Sequence, residues 1–270
     1  MIGSRLLQLL PFNIISEDNL DRANGFDILN LSDLIGRVGN KQIDCLIHFA
    51  AFTDVSAAEE QNGDKNGSCY QINVIGTKNI IELAAKLKCR LIHISTDFVF
   101  DGAKGSSYTE EDLPDPIGWY SQTKYLAEEL VKKSNLEWTI ARTAFPYLAK
   151  FPGKLDLIRN LIQKMRQGKL APQFIDHIIT PTFIDELALS LITLINQKTI
   201  GIYHLTGNDC LSDYQITQTI ANIFDFPDIN IPATSVKEYN STAKRPYPLN
   251  TALSNQKFQT QFGKHFSSFE

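Results

Sequence analysis

The sequence predicts a doubly wound α/β protein, a parallel sheet with helices on both faces and a smaller lobe toward the C-terminus. Three observations predict it. Apolar runs bounded by turn residues alternate with longer segments of helical period, the pattern of buried parallel strands joined by crossover helices. Three of those runs, Asp44 to Ala51 (DCLIHFAA), Arg90 to Thr96 (RLIHIST) and Glu137 to Arg142 (EWTIAR), have the length and composition of central strands. Beyond about Phe151 the alternation loosens without a repeat or a low-complexity linker. Residues 1–150 therefore read as the main domain, and 151–270 mainly as a lobe packed on it, with some segments returning to it.

Met1 to Leu10 reads as the opening of a helix and Phe12 to Ser16 as a strand. Tyr70 to Leu87 sets Ile72, Ile75, Ile80, Leu83 and Leu87 at roughly helical spacing, and Tyr120 to Lys133 does the same with Leu126 and Leu130. Each suits a right-handed crossover. Further helices are expected at Leu155 to Gln167, Thr182 to Asn196 and Ser212 to Phe224, with a short strand at Gly201 to Thr206. Ser212 suits an N-cap, and the Asp213 carboxylate favours the positive end of the helix dipole. The Pro- and Asn-rich stretch after Phe226 reads as loop.

Of the 270 residues, 43% are hydrophobic and 21% charged, and no apolar run approaches the roughly 18 residues that a membrane span needs. The net charge of -4 comes from 26 basic and 30 acidic residues, with neither sign gathered in a block. Nucleic-acid binding through a basic surface is disfavoured, because that mode needs clustered cations to displace counterions from phosphates. Cys45, Cys69, Cys89 and Cys210 lie far apart with no C-x-x-C pair. Reduced thiols, buried at Cys45 and Cys89, are favoured over disulfides or zinc, and a cytoplasmic address follows. The amino terminus lacks the marks of a signal peptide. Histidines 48, 93, 177, 204 and 265 are scattered; His48 and His93, in expected strands, read as satisfied core histidines, and no metal site is predicted.

The segment GWYSQTKYLAEELV carries the most specific chemistry. Tyr120 and Lys124, four apart on a helix, share a face, so a phenol and an ammonium can meet at one site. A nearby cation favours phenolate and is expected to lower the tyrosine pKa from roughly 10. Upstream, a strand ends in Ser95-Thr96-Asp97, a hydroxyl and a carboxylate at the carboxyl edge of the sheet, where open α/β proteins bind ligands. There a hydroxyl can bond a carbonyl oxygen while Tyr120 protonates it. Taken singly, Thr96 is a strand-end cap, Asp97 a turn former, and the Tyr–Lys pair a solvated helix face.

STDFVFDG at Ser95 to Gly102 followed by YSQTK at Tyr120 to Lys124 resembles the extended short-chain dehydrogenase/reductases, and among them the dTDP-4-dehydrorhamnose reductase family. HFAAFTDVSAAEE (His48 to Glu60), INVIGTKNIIELAA (Ile72 to Ala85), RTAF (Arg142 to Phe145), TPT (Thr180 to Thr182) and RPYPL (Arg245 to Leu249) agree, and the resemblance runs from Gly3 to about Leu253. It implies a Rossmann-like main domain, a substrate-binding lobe, and reduction of a 4-keto-6-deoxy nucleotide sugar by NAD(H) or NADP(H). By resemblance Thr96 polarises the ketone, Tyr120 protonates it, and Lys124 also bonds the nicotinamide ribose. Cofactor contacts map to Gly3, Asp27, Ile28, Ala50, Ala51, Thr53, Asn73, Tyr120 and Lys124. Substrate contacts map to Thr96, Asp97 and Phe145, where these reductases often carry Trp. Arg245, with Lys244, is a candidate for holding the substrate diphosphate. Self-association into a homodimer stays open.

One departure stands out. Met1 to Leu6 resembles the end of a G-x-x-G-x-x-G turn entering its helix, with Gly3 as third glycine; the first strand and two glycines are absent, which would leave neighbouring ladders open. A start placed downstream of the true one is favoured over a natural truncation, because the catalytic motifs are intact. Glu17 and Asp18, after the Phe12 to Ser16 strand, favour NAD(H) by repelling the extra phosphate of NADP. Two alternatives accompany the reductase reading: an epimerase using the same Tyr and Lys, and a regulatory subunit resembling that of methionine adenosyltransferase.

Overall fold

The computed structural model describes residues 1–10, 25–243 and 245–269. The strand expected at Phe12 to Ser16, the carboxylates Glu17 and Asp18, and Lys244 lie outside the described residues.

The main domain contains α1 (Ile2–Leu9), α2 (Leu31–Val38), β1 (Cys45–His48), α3 (Val55–Glu59), α4 (Ser68–Tyr70), α5 (Gly76–Leu87), β2 (Arg90–Thr96), α6 (Trp119–Lys132) and β3 (Trp138–Thr143). After β3 come β4 (Pro146–Tyr147), α7 (Leu157–Arg166), β5 (Gln173–Phe174), β6 (Ile178–Ile179), β7 (Thr182–Phe183), α8 (Ile184–Asn196), β8 (Gly201–His204), β9 (Leu211–Ser212), α9 (Asp213–Ile223), β10 (Ala233–Thr234), α10 (Val236–Thr242) and α11 (Gln256–Phe262). Four strands form one parallel sheet in the order β1-β2-β3-β8, so β8 returns from the lobe's sequence to the main sheet.

All seven residues of β2 are buried, the apolar Leu91, Ile92 and Ile94 together with the polar Arg90, His93, Ser95 and Thr96. On one face Leu46, Leu91 and Ile140 pack with Leu34, Leu83 and Val131 from α2, α5 and α6. On the other, Ile92, Ile94, Ala141 and Tyr203 pack with Leu6, Leu187, Leu191 and Phe258 from α1, α8 and α11. Both faces are covered, as expected of a doubly wound sheet. Among the described residues β1 is an edge strand paired only with β2.

Several local expectations change. The helix expected over Tyr70 to Leu87 contains a π-helical segment, Gln71–Ile75, where an inserted residue widens the turn. Gly76 follows it because Ile28 lies there: a Cβ at Gly76 would stand 2.3 Å from Ile28 Cδ1. Thr182 belongs to a strand, and its helix begins at Ile184. Ser212 does cap α9, in a capping box with Gln215. The stretch after Phe226 carries α10, α11 and a strand, and Phe258 of α11 is fully buried. All four cysteines are free thiols, with Cys45 only partly buried. No described helix is long and apolar enough to cross a membrane.

One polar contact fixes α6 to the sheet. Arg142 of β3 and Glu128 of α6 are 1% and 0% exposed, and the guanidinium meets both carboxylate oxygens at 2.9 and 2.7 Å. Removing one partner strands a buried charge. Arg142→Ala or Glu128→Ala is therefore expected to lower the unfolding free energy by about 3–5 kcal/mol in a denaturant titration, while Arg142→Met with Glu128→Leu recovers most of it. A single-variant loss below about 1 kcal/mol would contradict the assignment.

Candidate active site

β2 ends where its last hydroxyl turns the chain: Thr96 Oγ1 accepts from the Phe98 N–H at 3.3 Å and so caps the 3-10 turn Asp97–Val99. The same hydroxyl donates to Asp97 Oδ1 at 2.9 Å, and Thr251 donates to Asp97 Oδ2 at 2.6 Å. Asp97 is only 2% exposed. Burial raises its pKa to about 6, with Thr251, Thr96 and His177 pulling the other way.

Tyr120 and Lys124 lie one turn apart on α6 and are 8% and 4% exposed. Lys124 Nζ donates to the Ile94 carbonyl at 2.7 Å, anchoring the side chain under the end of β2. Desolvation lowers its pKa to about 8, against the pull of Glu128 and Cys69. The Tyr120 pKa moves opposite to expectation. Burial raises it, Asp97 adds to the rise, and a hydrogen bond with Thr96 works against it. The sequence spacing shows a cation one turn away but not the loss of solvent around the phenol, and here desolvation is the larger effect. Thr96, Asp97, Tyr120 and Lys124 are thus brought together at the carboxyl edge of the sheet.

On the other side of α6 runs the loop that follows β1. Ala50 and Thr53 are exposed and Ala51 half-buried. Asn73, 2% exposed, accepts from the Phe52 N–H at 2.8 Å and donates to Thr123 Oγ1 of α6 at 2.9 Å, so it braces this loop against the catalytic helix. Gly3 packs beside the Phe49 ring, which would lie 3.3 Å from a Cβ there. Asp27 is exposed and caps its own turn at Leu29, while the Ile28 carbonyl accepts from Asn79 of α5 at 2.8 Å.

Toward the lobe, an aromatic row begins at Tyr120. Phe98 touches Tyr120, Phe145 and Tyr247 at ring separations of 6.3, 5.8 and 6.4 Å. Phe145 has φ 41°, a left-handed backbone rare for a bulky residue and therefore strained. The Arg245 guanidinium lies 4.4 Å from the centre of the Tyr247 ring. A cavity of about 300 Å³ beside Tyr147, Phe183 and Phe269 holds none of these residues.

Several participants escape a sequence reading. Thr251 reaches Asp97 across 154 positions, with no local signal. Glu128 could have been found by extending the four-residue spacing of Tyr120 and Lys124. His48 bonds Thr77 at 3.1 Å, as a satisfied core histidine should, but both ring nitrogens of His93 lack a partner among the described residues. No cluster of three or more His, Cys, Asp or Glu suited to a metal ion occurs among the described residues.

The chain is similar to known proteins over nearly its whole length. A dTDP-4-dehydrorhamnose reductase from Aggregatibacter actinomycetemcomitans is 27% identical over 97% of this chain and 90% of its own. A crystal structure of dTDP-4-dehydrorhamnose reductase from Bacillus anthracis, in complex with NADP, superposes with a TM-score of 0.88 at 25% identity, covering 99% of this chain and 91% of that one. Methionine adenosyltransferase 2 subunit beta of Rattus norvegicus is 28% identical over 76% of this chain and 63% of its own. The model of the RmlD substrate binding domain matches residues 1–270, and the chain belongs to that family.

Proposed function

We propose that this chain reduces the 4-keto group of dTDP-4-dehydrorhamnose, or a near relative, to the hydroxyl of a dTDP-L-rhamnose-type product, using a nicotinamide dinucleotide. The observation that carries the reading is the meeting of the Thr96 hydroxyl, the Tyr120 phenol and the Lys124 ammonium at the end of β2.

The residues present fit such a cofactor. Lys124 has N–H donors beyond the one given to Ile94, and the small residues Ala50 and Ala51 let a ligand approach the backbone of a loop that Asn73 holds in place. When bound, NAD(P)H supplies the hydride. The chain's own residues manage the proton. Tyr120 stays protonated at neutral pH because burial raises its pKa, which is the state needed to give a proton to the ketone oxygen as the hydride reaches C4. Thr96 bonds the same oxygen, and Asp97 orients Thr96. Lys124 holds the ribose and favours the phenolate that remains. Phe145 and Arg245 bound the sugar and diphosphate side. The coverage of relatives favours a reductase over the regulatory subunit, whose length is only 63% matched. No observation favours an epimerase.

Purified protein given the 4-keto-6-deoxy sugar nucleotide and reduced cofactor should oxidise the cofactor, followed by its absorbance. Tyr120→Phe should cut kcat by about 10²–10⁴; equal turnover in this variant would sink the reading. Lys124 must be charged to hold the ribose, and its lowered pKa brings loss of that charge down to about pH 8. The kcat/KM for cofactor should therefore fall above about pH 8, and a profile flat from pH 7 to about 10 would contradict the role of Lys124. Glu17 and Asp18 favour NADH, whereas the Bacillus anthracis relative was crystallised with NADP. The ratio of kcat/KM for NADH and NADPH decides between them, with a value above one expected from the acidic pair.

A further inference from the structure

His177 is 1% exposed, and its two ring nitrogens are unequally served. Nδ1 lies 2.6 Å from Asp213 Oδ2, at the first turn of α9. Nε2 has no hydrogen-bond partner among the described residues. An unpaired buried nitrogen is costly, and here a carboxylate fixes the opposite side of the same ring. Phe145, Phe174 and Tyr247 surround the imidazole edge-on, at 5.9, 5.9 and 4.9 Å with interplanar angles of 70°, 78° and 87°. The ring is held in one orientation, with Nε2 directed away from Asp213.

Its neighbours tie this position to the reaction. Phe145 is the strained residue on the sugar side, and Tyr247 is the ring beneath Arg245. The next residue, Ile178, accepts from the Thr251 N–H at 2.9 Å, and Thr251 is the residue that holds Asp97. Asp97 also feels the His177 charge. A pre-oriented nitrogen at the lobe end of the aromatic row from Tyr120 suits a ligand that carries both a ketone and hydroxyls.

We infer that His177, held by Asp213, is a sugar-recognition residue of the lobe, whose Nε2 hydrogen-bonds a hydroxyl of the hexose presented to Tyr120. With Nδ1–H donating to Asp213, neutral Nε2 accepts from that hydroxyl; the doubly protonated ring donates to it. The inference deepens the reductase reading and rests on it.

Steady-state kinetics of His177→Phe, His177→Gln and Asp213→Asn test it, with thermal melting of each variant. In His177→Phe the KM for the sugar nucleotide should rise about ten- to a hundredfold, the effect of losing one buried hydrogen bond, with kcat within about threefold. Inhibition by dTDP alone and the KM for cofactor should stay as in the wild type, because neither contains the hexose. His177→Gln, which keeps a polar group, should recover part of the loss, and Asp213→Asn should raise the same KM more modestly. An unchanged sugar-nucleotide KM in a folded His177→Phe variant, or in a folded Asp213→Asn variant where His177→Phe does not fold, overturns the inference. So does an equal loss of dTDP affinity, which would place His177 on the nucleotide. Wild-type turnover is measured first in the same assay: its absence would defeat the reductase reading itself, whereas an active wild type with indifferent variants defeats only the role of His177.

Discussion

The site depends on how α6 is seated against the sheet. Lys124 reaches the Ile94 carbonyl at 2.7 Å, and one turn further along the helix Glu128 accepts from Nε and Nη2 of Arg142. A bidentate pair closes in only one relative orientation, so it fixes the rotation of α6 as well as its depth. A slip of one residue would turn Tyr120 and Lys124 by about 100° around the helix axis and carry both away from Thr96. Hydrophobic residues of similar volume could supply as much stability as this buried ion pair. What they lack is direction, and direction is what a proton donor beside a ketone requires.

The burial that seats the helix also sets its charges. Desolvation is the largest influence on Asp97, Tyr120 and Lys124, and each moves toward its neutral form: Asp97 up to about 6, Lys124 down to about 8, Tyr120 upward. A tyrosine activated chiefly by an adjacent cation would favour phenolate, the form that removes a proton. A buried one favours phenol, the form that gives a proton to a newly reduced oxygen. Thr96 is the pivot of this arrangement. Its single proton goes to Asp97, so its lone pairs remain for Tyr120, and bonding a ketone requires that proton to turn away from the carboxylate. Asp97, with a pKa close to neutrality, is suited to that exchange, because a protonated carboxyl can donate to Thr96 in return.

Much of this was legible in the sequence, and what was not has a physical reason. The central strands read well because short runs with buried aliphatic residues lie between turn and helix signals, and β2 was placed to the residue although Arg90, His93, Ser95 and Thr96 are polar. Tyr120 and Lys124 were legible because the helical period puts them on one face, and Thr96 because a strand end meets solvent. The sign of the Tyr120 shift was not, since spacing reports neighbours and not solvent. His93 lay in an expected strand, but its missing partners depend on packing from other elements. α2 and α11 are short, and in α11 the buried Phe258 sits among Gln, Lys and Thr, so the apolar pattern is too brief to stand out. The strain at Phe145 belongs to a backbone angle that residue type alone would argue against.

The last link joins the lobe to the chemistry. Asp97 is held from the sheet side by Thr96 and from the lobe side by Thr251, and Thr251 in turn pairs through its backbone with Ile178, beside His177. Phe98 makes a parallel connection, touching both Tyr120 and Tyr247. The Thr96 hydroxyl is therefore oriented by a carboxylate whose other oxygen is held by Thr251. If the lobe shifted, Asp97 would lose one of its two donors, and its charge and its grip on Thr96 would change together. Two connections, the Asp97–Thr251 hydrogen bond and the Phe98 ring contacts, therefore join the end of β2 to the segment that carries Tyr247 and Thr251.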